Sequence, residues 1–127
     1  MTRIPDREAV SRAIADAEAG TTARIHVALL DDERLDDPLG RARTIFSWLD
    51  RGEDAGVLML VAPRARRFAV LGDDVIHELA GDELWQSVTA EMTSHFAGDD
   101  VEGAILRGLD VLGDALRRHR PAGTLPA

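Results

Sequence analysis

The residues best suited to chemistry lie in one stretch of the chain, LGDDVIHELAGDELW, at positions 71–85. It brings Asp73, Asp74, His77 and Asp82 close together in sequence. Carboxylate oxygens are the ligands that hard divalent cations such as calcium and magnesium prefer, whereas an imidazole favours zinc or a similar metal. The stretch therefore predicts a candidate metal site at Asp73, Asp74 and Asp82, with His77 as a weaker ligand.

The same aspartates have an equally good structural explanation. An Asp just before a helix accepts a backbone N–H at the open end of the helix and stabilises it by about 1 kcal/mol. Asp82 fits the start of one predicted helix, and Asp73 or Asp74 fits the start of another. Capping needs only one acid at each helix start, so it does not explain one of the adjacent residues Asp73 and Asp74. The two interpretations, ligand site and helix caps, stay open at the level of sequence.

Two further charged segments are weaker candidates for a ligand site. The loop DDERLDD at 31–37 lacks the Gly at position six and the Glu at position twelve of an EF-hand, so a solvated acidic loop is the better interpretation. Arg64, Arg66 and Arg67 crowd a predicted hairpin turn. Arginines can hold a phosphate, but solvated side chains at a turn explain these three better.

The chain offers no recognisable catalytic nucleophile. It has no Cys, and it contains neither a D-x-D-x-T pattern nor a P-loop. Its serines all fall inside predicted helices without the glycines of a nucleophile elbow; they are Ser11, Ser47, Ser87 and Ser94. Any hydrolysis would therefore depend on a metal-activated water at the three aspartates.

Composition bounds the class of protein. With 127 residues, 45% hydrophobic and 30% charged, the chain fits one globular domain, which we expect over 1–120 with a loose tail over 121–127. Acids outnumber bases 23 to 15, and this net charge of -8 argues against nucleic-acid binding. There is no apolar signal core, and no apolar run approaches the roughly 20 residues of a membrane span. We therefore expect a cytoplasmic protein.

Hydrophobic periodicity predicts elements in the order α-β-α-β-β-α-α-α. The predicted helices cover residues 5–19, 38–51, 74–80, 82–97 and 100–119. The predicted strands cover residues 23–30, 56–62 and 67–72. The second strand is apolar on both faces, which is typical of the middle of a sheet. A short link makes the last two strands antiparallel, and a helical crossover makes the first two parallel. We expect an α/β fold, a three-layer α/β/α sandwich around a small mixed sheet.

Some helix residues carry further predictions. Asp99 and Glu102 are spaced as a capping box for the last helix, whose negative end suits Arg117. The apolar stripe of the second helix places Leu39 inward and Trp48 at its margin, where the indole is available to a protein partner. The helix faces leave the oligomeric state open.

The middle of the chain resembles the TPM domain family. The segment AGVLMLVAPRARRFAVLGDDVIHELAGDELW at 55–85 is similar to the family pattern of an NGVLIYVA-type strand followed by DRRFAIxGDxGIHExxGDxFW. The later family patterns F-x-x-G-x-x-x-E-G and G-x-x-L-x-x-H-F-P have close matches here at Phe96, Gly98, Glu102, Gly103, Gly113, Leu116, His119 and Pro121. Arg120 stands where Phe is usual.

The resemblance implies an α/β/α sandwich and a disputed function. The family is often labelled phosphatase, some members look like calcium binders at acidic loops, and others act in membrane maintenance or complex assembly. Three hypotheses follow. The first is a small binding or accessory module for a protein partner, with or without a divalent cation. The others are a weak metal-assisted phosphatase and an assembly or maintenance factor for membrane protein complexes.

The chain departs from the family pattern in three ways. Val75 stands where the family usually has Gly. From this sequence we expect neither the signal peptide nor the membrane anchor of typical members, and the loop RGEDA at 51–55 is shorter than in many members. These departures count against an envelope role and against a ligand site.

Overall fold

The computed structural model describes residues 5–49 and 56–119, except for the side chains of residues 79, 80 and 119. Within these ranges the strands are β1 (Arg24–Leu29), β2 (Gly56–Ala62) and β3 (Arg67–Gly72). The helices are α1 (Arg7–Glu18), α2 (Pro38–Trp48), α3 (Asp74–Ala97) and α4 (Val101–His119). The loop at 51–55 and the predicted tail at 121–127 lie outside the described residues.

The three strands form one mixed sheet in the order β1-β2-β3. β1 runs parallel to β2, and β3 runs antiparallel to it. Every residue of β2 is buried, because β2 has a strand on each side and helices over both faces. The predicted sheet and its strand directions are confirmed.

Alternation along β2 sends its side chains to two separate cores. On one face Val57, Met59 and Val61 pack with residues of α1, α3 and α4. On the other face Leu58 and Leu60 pack with residues of α2. The sheet therefore lies between two helical layers, and the predicted α/β/α sandwich is confirmed.

Gly81 bends α3 in its first third. Its backbone is left-handed in φ, with φ 70° and ψ -176°, a conformation that glycine adopts at little cost. The sequence predicted two helices, at 74–80 and 82–97, separated at Gly81. The structure agrees, because the backbone at Gly81 is not helical and α3 consists of two helical segments joined at a sharp bend.

The predicted capping box of α4 is wrong by one residue. Asp100 caps the helix, because its Oδ1 accepts the N–H of Gly103 at 3.0 Å. Asp99 has φ 60° and so lies outside the helix start. Glu102 does not reach back to its own helix end, because its Oε1 accepts the N–H of Asp6 at 2.7 Å and ties α4 to the start of α1.

Arg117 stabilises the end of α1 rather than only that of its own helix. Its Nη1 donates to the carbonyl oxygens of Asp16 at 3.2 Å and Ala19 at 3.3 Å. The carbonyls at the last turn of a helix lack intrahelical partners, so a guanidinium from α4 satisfies them. The two helices approach closely beside this contact.

We predict that Gly113→Ala destabilises the fold at the contact between α1 and α4. A Cβ at Gly113 would lie 2.9 Å from the Cα of Ala17, so the backbone of one helix must move. Overpacking of this kind costs about 1–3 kcal/mol and should lower the melting temperature by roughly 4–12 °C. Gly98→Ala is the control in a thermal melt, since its Cβ would meet only the carbonyl oxygen of His95 at 3.6 Å. Equal melting temperatures for both variants would contradict the prediction.

Candidate functional site

Asp73 joins the start of α3 to the start of β2. Its Oδ1 accepts the N–H of Ile76 at 3.1 Å, which caps α3. Its Oδ2 accepts the N–H of Gly56 at 2.8 Å, and its own N–H donates to the carbonyl oxygen of Gly56 at 3.1 Å. Both carboxylate oxygens therefore bond to backbone groups of the fold, and capping is the observed role of this residue.

Asp74 and Asp82 are exposed side chains on α3. Asp74 lies in the first turn, where a carboxylate stabilises the positive end of the helix dipole. Asp82 follows the bend at Gly81. Within residues 5–49 and 56–119, no three or more His, Asp or Glu side chains are grouped as a metal ion would need. The described geometry therefore does not gather the expected ligands, and a calcium or magnesium ion here stays a prediction.

His77 bonds to Trp85 across the bend of α3. The Nε1–H of Trp85 donates to Nδ1 of His77 at 3.1 Å, and the two ring centroids lie 5.1 Å apart. A neutral imidazole that accepts at Nδ1 carries its proton on Nε2. The weaker of the predicted ligands therefore has one ring nitrogen engaged in a structural hydrogen bond.

Trp85 in turn lies directly over the backbone of Gly72. A Cβ at Gly72 would fall 2.6 Å from Cη2 of the indole, so this position accepts no side chain without movement. Gly72, Asp73, His77, Gly81 and Trp85 thus form one structural unit, which we call the β3–α3 joint. The spacing of His77 and Trp85 gave no signal of their contact, because they become neighbours only through the bend.

At the opposite end of the sheet, two of the three arginines predicted at the hairpin turn bond to acidic side chains. Arg64 pairs with Asp31 at 2.8 Å and also with Glu33. Arg66 pairs with Asp99 at 2.9 Å. The acidic loop after β1 is thereby tied to the turn between β2 and β3. As expected from the strand directions, this loop and the GDD segment after β3 lie at opposite ends of the sheet.

His95 pairs with Asp100 across the turn between α3 and α4. Nδ1 of His95 lies 3.1 Å from Oδ2 of Asp100. The backbone N–H of Gly103, followed by the hydrogen bond to His95, holds the pKa of Asp100 below its ordinary value of 3.8. Sequence spacing had suggested no partner for His95.

A surface depression of about 440 Å³ lies beside α1 and α4. Among its lining residues, Arg107 pairs with Asp110 at 2.7 Å and with Glu91 at 3.3 Å. Arg117 pairs with Asp114 at 2.7 Å. Both arginines of this depression are thus engaged within the fold, and the depression offers weak support for an anionic ligand.

Comparison with known families identifies the fold. The family model of the TPM domain matches residues 5–115. The chain belongs to the TPM domain family. The resemblance of the segment at 55–85 is thereby confirmed, and the β3–α3 joint is the structural form that its most specific residues take in this TPM domain.

Solved structures agree with this assignment. The chain is similar to the BA42 protein of the psychrophilic bacterium Bizionia argentinensis, with a TM-score of 0.83 and 26% identity over 98% of this chain and 91% of that one. It shares its fold with the N-terminal domain of the cg2496 protein of Corynebacterium glutamicum, with a TM-score of 0.70 and 17% identity over 94% of this chain and 77% of that one. The comparison with curated proteins gave no match.

None of the helices that the structure describes combines the length and the apolar character needed to cross a membrane.

We predict that Asp73→Ala destabilises the TPM domain far more than Asp74→Ala. The first change removes a helix cap worth about 1 kcal/mol and leaves the buried N–H of Gly56 without its carboxylate, at a cost of about 1–3 kcal/mol. Asp74→Ala removes only a dipole interaction of less than about 1 kcal/mol. Thermal melts of chelator-treated protein measure both changes.

The same melts test the metal hypothesis when calcium, magnesium, manganese or zinc is added. If the aspartates only stabilise the fold, the difference in melting temperature between Asp73→Ala and Asp74→Ala stays the same with every ion. A rise in melting temperature with one ion, which Asp82→Ala abolishes, would instead establish a metal site.

The lowered pKa of Asp100 predicts a loss of stability in acid. A carboxyl with a lower pKa in the folded chain stabilises that chain above its unfolded pKa, and the contribution disappears as the pH falls through the folded pKa. Asp100→Asn keeps a capping oxygen but has no charge. The stability difference between wild type and this variant should therefore shrink as the pH falls below 3.8. Denaturant titrations at several pH values measure it, and a difference that persists unchanged into strong acid would contradict the prediction.

Proposed function

We propose that this TPM domain is a non-catalytic binding module that engages a protein partner through the surface around Trp48. The observation that carries the proposal is the exposure of Trp48, which is 75%. The other exposed large hydrophobic residues of the described chain, Leu39 and Val75, are exposed by only 40% and 43%. Tryptophan is highly buried on average and is enriched among the residues that dominate binding energy at interfaces.

Trp48 stands on a well-anchored part of α2. Phe46 lies in the core under the sheet and accepts the N–H of Leu49 at 3.2 Å, which closes the helix. Arg41 and Thr44, which precede Trp48 by two turns and one turn, are exposed. An indole on a rigid helix with polar neighbours resembles an interface anchor with a polar rim.

Leu39 corrects one expectation about this helix. The apolar stripe predicted it to face inward, but it lies in the first turn and is 40% exposed. Ala42 and Phe46 supply the buried contacts of α2 instead. The exposed apolar residues of α2 are thus at its two ends, and Leu39 provides a matched position for testing Trp48.

A metal-assisted phosphatase is the alternative from another functional class. It needs a nucleophile or a metal-bound water with an open coordination position. Asp73 uses both carboxylate oxygens on backbone N–H groups, and the hydroxyl of Ser47 donates to the carbonyl oxygen of Thr44 at 2.7 Å. These contacts favour the binding module. A role in assembling membrane complexes rests on family analogy alone.

We predict that Trp48→Ala weakens partner binding while the fold is retained. Truncation of an interface anchor costs more than about 1 kcal/mol, or at least roughly fivefold in affinity, whereas an exposed side chain contributes within about 0.5 kcal/mol to stability. Proteins captured by the immobilised wild-type chain are identified and purified. Calorimetric titration of each purified partner then compares wild type, Trp48→Ala and the control Leu39→Ala.

The outcome separates the two classes of function. Loss of affinity in Trp48→Ala, with Leu39→Ala close to wild type, supports the binding module. Unchanged affinity in Trp48→Ala overturns the proposed surface. Ion-dependent hydrolysis of a phosphomonoester by the purified chain, abolished in Asp82→Ala, would establish the enzymatic alternative.

A further inference from the structure

We propose that the outer edge of β1 is a docking site for an extended peptide, which adds a strand to the sheet and directs a carboxylate toward Arg7. This site lies away from Trp48, so the inference goes beyond the proposed function and is tested separately. It rests on unpaired backbone groups, on a groove beside them that contains apolar side chains, and on a cation at one end of the groove.

The direction of the backbone groups of β1 follows from its pairing with β2. The N–H of Leu30 donates to the carbonyl oxygen of Val61 at 2.9 Å. In a strand, backbone groups alternate between the two sides, so those of Val27 and Leu29 point away from β2. A contact of Ile25 confirms this direction, since its N–H bonds to a side chain outside the sheet.

That contact covers the edge of β1 at Ile25 and does not extend further along the strand. Oε2 of Glu18 accepts the N–H of Ile25 at 2.7 Å. Proteins commonly protect exposed sheet edges, because unpaired N–H and C=O groups recruit other strands. Among the residues that the structure describes, none from outside the sheet bonds to the N–H of Val27 or Leu29. The edge is therefore closed at its beginning and open over its second half.

A groove lined by both apolar and polar residues runs along this open half. It has a volume of about 220 Å³ and lies between β1 and one face of α1; its lining residues are Arg7, Val10, Ser11, Ile14, Val27 and Leu29. Ile14, Val27 and Leu29 are only partly buried. The groove is smaller than the roughly 300–1,000 Å³ of sites for small molecules. It suits one or two side chains of a strand whose alternate residues point toward α1.

Charge selects the chemistry of the peptide. Arg7 is exposed in the first turn of α1 and forms no ion pair with any described residue. The hydroxyl of Ser11 lies one turn further along the same groove. Arg7 is therefore a cation beside an open strand edge in a chain whose net charge is -8. It favours a peptide with alternating apolar residues and an Asp, a Glu or a free carboxyl end opposite Arg7.

The experiment starts from random heptapeptides displayed on phage and selected against the full chain. The inference expects enriched peptides with alternating apolar residues and an acidic group near one end. Amide hydrogen exchange followed by NMR then reads the site directly. In the free chain the amides of Val27 and Leu29 exchange rapidly, and an enriched synthetic peptide slows both. The amide of Ile25, already bonded to Glu18, is the internal reference.

Two charge-reversal variants of α1 provide the matched test. Arg7→Glu should lower the affinity of the enriched peptide about tenfold or more, whereas Arg12→Glu, an exposed position that does not line the groove, should leave it unchanged. Ser11→Trp, which fills the groove from an exposed position, should also prevent binding. Folding of each variant is checked by its thermal melt.

Four results would overturn the inference. One is a selection without enrichment, and another is peptide binding that survives both Arg7→Glu and Ser11→Trp. A third is slow amide exchange at Val27 and Leu29 in the free chain that becomes fast on dilution. This result would mean that a second copy of the chain occupies the edge. Protection that disappears only when residues 120–127 are removed would assign it to the chain's own C-terminal segment.

Discussion

Burial of β2 on both faces is the constraint that the rest of this TPM domain satisfies. A strand that is apolar on both faces needs helices above and below, and here α2 covers one face while α1, α3 and α4 cover the other. Its backbone also needs a strand on each side, because a buried N–H or C=O without a partner is costly. β1 and β3 fill these positions, and each then has an outer edge of its own. Because β1 pairs with β2 on one side only, its other edge has no strand partner at Val27 and Leu29 within the described sheet.

Asp73, which belongs to the family segment at 55–85, also stabilises β2. Gly56 begins β2, and its N–H donates to a carboxylate oxygen of Asp73. The carboxylate that satisfies it also caps α3, so one side chain fixes where β2 starts and where the helix leaves β3. Gly72 and Trp85 close the joint by direct packing. Residues that identify the family by sequence are therefore, in this chain, residues that build the fold.

Ion pairs hold the other end of the sheet. Arg64 and Arg66 of the hairpin turn pair with the acidic loop and with Asp99, which ties these segments together at the far end of the sheet. An exposed ion pair of this kind contributes little to stability by itself, but each of these charges has a partner within the fold. Within the described residues, an indole on α2 is exposed to solvent and a strand edge beside Arg7 is partly exposed. The two proposals above use these surfaces for protein or peptide contacts.

The sequence by itself determined the strands, their directions and the two cores. Alternating and continuous apolar patterns depend on near neighbours in the chain, and a short link or a helical crossover fixes whether strands run antiparallel or parallel. The sequence also identified the family, through the segment at 55–85. It named Asp73, Asp74 and Asp82 as candidates but left open whether they bind a metal or cap helices.

Only the tertiary structure decided which partner each of these side chains takes. Asp73 bonds to Gly56, seventeen positions earlier, and the bend at Gly81 brings Trp85 back to His77. Such contacts depend on how packed elements approach one another, and residue spacing along one helix carries no record of that approach. The same reason explains why the capping box was misplaced: a left-handed backbone at Asp99 moved the helix start to its neighbour. Local patterns specify elements, whereas the geometry between elements assigns the polar contacts.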